Sequence, residues 1–200
     1  LKAHYRIIFN LDGYGPDWEP EAEKRGLLNN KNTADAVPVF FEKDNIDVFV
    51  RNGVYTEQEA IARGKVALEN YVKTINIEAL TMLDMAKQDI IPSLSDYTAK
   101  LGVNLSAKQS AVSGVASLAE TALITELAEL NDKLFAATRK LESDLKKIDN
   151  DNVKEASQAM AHIIIPDMEN VRDAADEAEK LTASEYWPYP SYSDMLYRVK

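Results

Sequence analysis

TEQEAIARGKVALENYVKTINIEALTMLDMAKQDII, residues 56–91, reads as one long amphipathic helix and decides the fold. Thr56 and Glu59 stand in capping-box spacing, so the Thr hydroxyl and the Glu carboxylate can each satisfy an amide that the first turn leaves without a partner. Downstream, Ile61, Leu68, Ile75 and Met82 recur every seven residues, with Val72, Ala79 and Ala86 between them. That spacing draws one apolar stripe along the helix, and a stripe of that length has to be covered by other helices.

Working toward the C-terminus, Leu101-Gly102 reads as a helix end, and Leu105-Ser106 with Gln109 as the staple and capping box of a new start. The second helix is therefore expected over 106–148, with the seam Val112, Val115, Ala119, Ala122, Leu127, Leu130, Leu134, Leu141, Leu145 and Ile148. These steps of three and four are those of a bundle. A polar run at 149–152 ends it, and a third helix is expected over about 152–181, antiparallel to its neighbours because the connections are short. At ~1.5 Å per residue the first two helices would reach roughly 60–70 Å. Pro92 and Pro166 each remove a donor and crowd the preceding turn, which predicts kinks or breaks. Beyond Leu181, the aromatics Tyr186, Trp187, Tyr189, Tyr192 and Tyr197 alternate with Pro188 and Pro190, a composition suited to an extended tail docked on a surface.

Toward the N-terminus, residues 1–50 read as an irregular connector with a turn at 10–16 and short helices at 18–25, closed by Gly26, and at 33–41. The fold class expected is all-α. It is an elongated antiparallel bundle of three long helices kinked at prolines, with short N-terminal helices and an aromatic tail. Residues 1–50 form the connector and 51–200 the helical domain.

Composition narrows the function classes. The 200 residues contain no cysteine, which removes disulfides, thiolate nucleophiles and thiolate zinc sites. A formal charge of −10 disfavours binding to a phosphate backbone, so no nucleic-acid partner is expected. No apolar run approaches the ~20 residues of a membrane span, and no basic leader precedes one, so no membrane partner is expected and the cytoplasm is the expected compartment. His162 lacks a Glu or His three or four residues away on its face and reads as a packed, non-ligand residue, as does His4. Asp173, Asp176, Glu177 and Glu179 alternate with Arg172 and Lys180, the pattern of a solvated helix face. The Asp12-Gly-Tyr-Gly15 segment lacks the preceding strand, Gly spacing and Lys of a phosphate loop and reads as a plain turn. Paired Glu-x-x-His motifs, which a metal-dependent bundle enzyme would need, are absent from the sequence.

Several blocks resemble a known family. RNGVYTEQEA at 51–60, LENYVKTINIEALTMLDMAKQDIIP at 68–92 and EYWPYPSYSDMLY at 185–197 are similar to the C-terminal region of type III glutamine synthetases. HYRIIFN, DGYGPDW and EAEKRGLLNNKNTADAVP, within 4–38, resemble the segment that follows that family's catalytic barrel. The resemblance implies a parent enzyme of glutamine biosynthesis in the bacterial cytoplasm. It would ligate ammonia to glutamate with ATP and Mg²⁺ or Mn²⁺ through a γ-glutamyl phosphate. It further implies a homo-oligomer, a dodecamer of two stacked hexameric rings, in which the partners of this chain are the rest of its polypeptide and other subunits. The family's metal, ATP and glutamate ligands belong to its barrel, so no catalytic, cofactor-binding or metal residue is expected here, and the chain alone is expected to be inactive. Leu1 in place of Met reads as the start of an excised piece. A structural or assembly role follows, with a free-standing helical-bundle interaction module as the alternative.

Overall fold

In the computed structural model, which describes residues 2–149, 151–190 and 192–197, every regular element is a helix. The chain divides into two compact units, Leu1–Leu68 and Glu69–Lys200.

The first unit is built from short pieces. A 3₁₀ segment, Lys2–Ile7, precedes α1 (Trp18–Lys24), α2 (Thr33–Ala36), a second 3₁₀ segment at Val37–Phe41, and α3 (Lys43–Arg51). α1 ends as the sequence predicts: Gly26 takes a left-handed φ of 67°, and the Leu27 N–H returns to the Ala22 carbonyl at 2.9 Å. Arg25 fixes the strip before α1, donating to the Ile8 carbonyl at 2.6 Å while its guanidinium lies 5.5 Å above the Phe9 ring. Asn32 caps α2 by accepting the Asp35 N–H at 2.9 Å. α3 lies where an irregular connector was expected. Its β-branched, charge-interrupted run KDNIDVFVR obscures the helical period, and within it only Ile46 is buried.

The capping box forms as read. Glu59 accepts the Thr56 N–H at 2.9 Å, and the Thr56 hydroxyl accepts the Glu59 N–H at 3.2 Å, opening α4 (Glu57–Met85). The seven-residue stripe, however, holds only from Leu68 on. Ile61 is 44% exposed, and its place is taken by buried Ala60 and Gly64. A straight helix drifts ~20° per heptad, so Met82 is only half-buried while Leu83 enters the core.

In the second unit, α4 continues through a π turn, Ala86–Ile90, into α5 (Ile91–Ala111). α6 (Leu118–Leu145) follows, then α7 (Val153–Ala159), a second π turn at Met160–Ile164, α8 (Ile165–Leu181) and the short α9 (Tyr192–Tyr197). At both prolines the chain stays helical and does not break. The Ile91 N–H reaches the Ala86 carbonyl and the Ile165 N–H that of Met160, five residues back in each case. The widened turn relieves the pyrrolidine ring from the carbonyl four residues earlier, the clash that a proline otherwise imposes.

Two expectations about the second helix are corrected. α5 runs straight through Gly102 and Ser106, and the chain turns only at 112–117, where Val112 is extended and Gly114 adopts φ 74°. Burial of Leu94 and Leu101 on one face carries α5 past a glycine whose helical penalty is ~1 kcal/mol. Val112 and Val115 are therefore loop residues, and Ala119 and Ala122 are exposed, so the seam begins at Leu123 and Ile124. From there it runs as read, with Leu127, Leu134 and Leu141 all fully buried. The third helical stretch also runs as read: Asn152 accepts the Glu155 N–H and starts α7, and α8 ends at Leu181.

α6 packs against both α5 and α8. Lys87–Glu142, Ser95–Asn131 and Lys108–Glu120 link α6 to the π turn and α5, their numbers falling in α6 as they rise in the partner. One continuous core joins Val72, Ile75 and Ala79 of α4 to Leu94, Leu127, Leu134, Met160, Ile164 and Val171. Trp187 and Tyr189 of the tail pack against it, while α9 shows that the tail's end is helical rather than extended.

Candidate functional site

The most buried ionisable group described is Asp167, 4% exposed in the first turn of α8. Lys140 of α6 donates to its Oδ1 at 2.5 Å and to Asp144 Oδ2 at 2.9 Å, and Lys147 donates to Asp144 Oδ1 at 2.6 Å. Hydrogen bonds from Lys147 and Lys140 hold the Asp144 carboxyl well below the usual carboxylate range, and the bond to Asp167 raises Lys140. Asp167 Oδ2 is buried without a hydrogen-bond partner, a cost that the Lys140 ion pair offsets. The Lys140–Asp167 pair fastens α6 to α8.

Beside this cluster lies a cleft of about 440 Å³, lined by Asp144, Lys147, Asp149, Glu155, Ala159 and Ile163 among others. Two residues beyond Lys140, Glu142 accepts from Lys87 at 2.7 Å and Lys146 at 2.9 Å, which lowers its carboxyl to about 2. The tail adds a third fastening. Tyr189 donates to Asp89 Oδ2 at 2.7 Å, and partial burial together with that carboxylate pushes the phenol up to about 12. The Tyr186 ring lies 5.1 Å from that of Tyr97. Within Leu1–Leu68 there is a separate aromatic hollow of about 220 Å³.

The residues singled out by sequence fall as follows. The acidic face of α8 is exposed and internally paired, Arg172 to Asp176 at 3.3 Å and Lys180 to Glu177 at 2.7 Å. The 12–15 segment is a plain turn closed by the Asp12 side chain on the Tyr14 N–H at 2.9 Å. His162, expected to be packed, sits exposed on the second π turn because that turn directs Met160 and Ile164 inward instead, and His4 is exposed as well. Among the described residues no three His, Cys, Asp or Glu side chains converge to hold a metal ion, and no helix is long and apolar enough to cross a membrane. Sequence reasoning missed the Asp167–Lys140 pair. Its partners are 27 positions apart, and its one local sign is a carboxylate directly after Pro166 on the stripe that leads to Val171.

Comparison with known proteins adds three relatives and a family. A family model described as the glutamine synthetase C-terminal domain matches residues 1–109. A glutamine synthetase of Butyrivibrio fibrisolvens is 35% identical over 201 residues, covering 100% of this chain and 29% of that protein. A type-3 glutamine synthetase of Dictyostelium discoideum is 26% identical, covering 98% of this chain and 28% of that protein. A glutamine synthetase of Bacteroides fragilis (strain YCH46) is 28% identical, covering 96% and 27%. The chain thus spans less than a third of the length of the relatives it matches.

Proposed function

Because the chain belongs to the glutamine synthetase C-terminal domain family, we propose that it is the helical, non-catalytic C-terminal domain of a type III glutamine synthetase. The observation that carries this reading is the match of nearly the whole chain to under a third of each of three glutamine synthetases. In this reading the parent enzyme forms glutamine from glutamate and ammonia at the expense of ATP. On the same reading the Mg²⁺ or Mn²⁺ and the ATP are held by the rest of the polypeptide.

The role left to this chain is structural. Residues 1–50 connect it to the catalytic region, and residues 51–200 form an antiparallel three-helix bundle that supports a cytoplasmic dodecamer by contacting other subunits. The order of the Lys87–Glu142, Ser95–Asn131 and Lys108–Glu120 links supports the antiparallel arrangement, as does the Lys140–Asp167 pair between α6 and α8. Two measurements test the proposal. The isolated chain, given ATP, glutamate and ammonia, is expected to form no glutamine, and turnover above background refutes the non-catalytic assignment. Deleting these 200 residues from each subunit of the parent enzyme is expected to leave particles of fewer than twelve subunits. A particle that still contains twelve truncated subunits refutes the assembly role.

A second reading, a free-standing helical-bundle interaction module, is favoured by one observation. Val112 in the α5–α6 loop is 59% exposed and Leu118, the first residue of α6, is 84% exposed. A native polypeptide of 22.3 kDa on an immunoblot of source cells would select it.

A further inference from the structure

The aromatic hollow within Leu1–Leu68 has a shape that the assembly role leaves unused. Its walls are Val37, Phe40, Phe49 and Tyr55, and α4 supplies the floor with Ala60 and Gly64. The Phe40 and Phe49 rings lie nearly parallel, 7° apart with centroids at 6.1 Å, and Tyr55 meets Phe49 edge-on at 5.7 Å. At the rim, the Arg63 guanidinium sits 4.7 Å above the Tyr55 ring. Next to it, Gly64 lets Phe41 pack against α4, because a Cβ there would stand 2.2 Å from Phe41 Cζ. One charged group on an otherwise apolar lining gives a small polar ligand nothing to orient it. It suits an apolar side chain.

We propose that this hollow is a socket for an apolar side chain from the part of the same polypeptide that precedes residue 1, an inference that rests on the C-terminal domain reading above. The first unit needs such a partner. Its described buried apolar residues are Ala22, Ala34, Ile46, Ala60 and Leu68, whereas Leu28, Phe40, Val48, Val50 and Val54 are 46–73% exposed. A unit this small with so little buried surface is marginal alone. The chain covers 29% of the Butyrivibrio relative and matches a family described as a C-terminal domain, so in the reading above the catalytic polypeptide precedes this unit. One side chain filling about 220 Å³ would hold a free partner only weakly, whereas a tethered segment meets the hollow at about millimolar effective concentration.

The test compares amide hydrogen exchange over residues 37–67 in the native full-length polypeptide and in this 200-residue chain. Exchange at least about tenfold slower in the longer protein, at every protein concentration tried, is the expected result. Phe40→Asp in the longer protein is expected to abolish that slowing. Because Phe40 also stacks on Phe49, the same change is made in the short chain as the baseline, and the two variants are expected to exchange at equal rates. Equal exchange in the two proteins overturns the proposal, and so does slowing in the short chain that grows with its concentration, which would make a second copy the occupant. A full-length protein that keeps its dodecameric mass while residues 37–67 exchange as fast as in the short chain overturns the socket and leaves the assembly reading standing.

Discussion

Two Ile-Pro steps, Ile91-Pro92 and Ile165-Pro166, share a local design and differ in what surrounds them. Each follows a π turn opened by a buried residue, Ala86 or Met160, and closed by a buried isoleucine, Ile90 or Ile164. Each leaves its proline as the second residue of the helix that follows. Around the first turn the fastenings are at the surface: Lys87 to Glu142, and Asp89 to the Tyr189 hydroxyl. At the second, the residue after proline is Asp167, 4% exposed and paired with Lys140, where the first has Ser93. A missing N–H and a crowded ring account for the shared turn. The contacts that anchor each turn come from other parts of the chain, and only the second turn uses a buried carboxylate.

If that contrast holds, loss of packing should cost more at the second turn. Ile164→Ala, at a site with no exposure, is expected to destabilise by about 4–5 kcal/mol, and Ile90→Ala, at 7% exposure, by about 2–3 kcal/mol, both read from urea unfolding. Equal losses would erase the distinction. Tyr189→Phe tests the tail fastening. It should cost about 0.5–1.5 kcal/mol at neutral pH. The phenol's folded value of about 12 lies above the ordinary 10.0, so the stability it contributes is complete below pH 10 and is lost as pH rises toward 12. Wild-type unfolding should therefore steepen across that window and the variant's should not. A matching alkaline slope in both would show that the Asp89 contact contributes nothing. The smallest effect belongs to Glu142, depressed from 4.5 to about 2 by Lys87 and Lys146. A depressed carboxyl stabilises above its unfolded value and loses that stability as pH falls, here from 4.5 toward 2. Thermal midpoints of Glu142→Gln should fall less than wild type over that range, and parallel curves would remove Glu142 from the account.

Legibility followed the range of the forces involved. The capping box at Thr56 and Glu59, the Gly26 closure and the Leu127, Leu134, Leu141 seam are set by neighbours within one or two turns, and each formed where the residues indicated. Gly102 and Ser106 carried the same kind of signal and misled, because burial of Leu101 outweighed a penalty of ~1 kcal/mol. The Asp167–Lys140 pair had only the carboxylate after Pro166 as a local sign and the aromatic hollow had none, since their parts come from separate elements.

The sequence by itself determined that the chain is helical, where most helices start and stop, and which family its ordered blocks resemble, because capping, periodicity and proline chemistry act over a few residues. Only the tertiary structure decided that the prolines ride on π turns, that α5 persists to Ala111, and that a carboxylate at 167 is buried. Those outcomes depend on which surfaces meet, and a few kcal/mol of burial or pairing between distant helices overrides a local preference of about one.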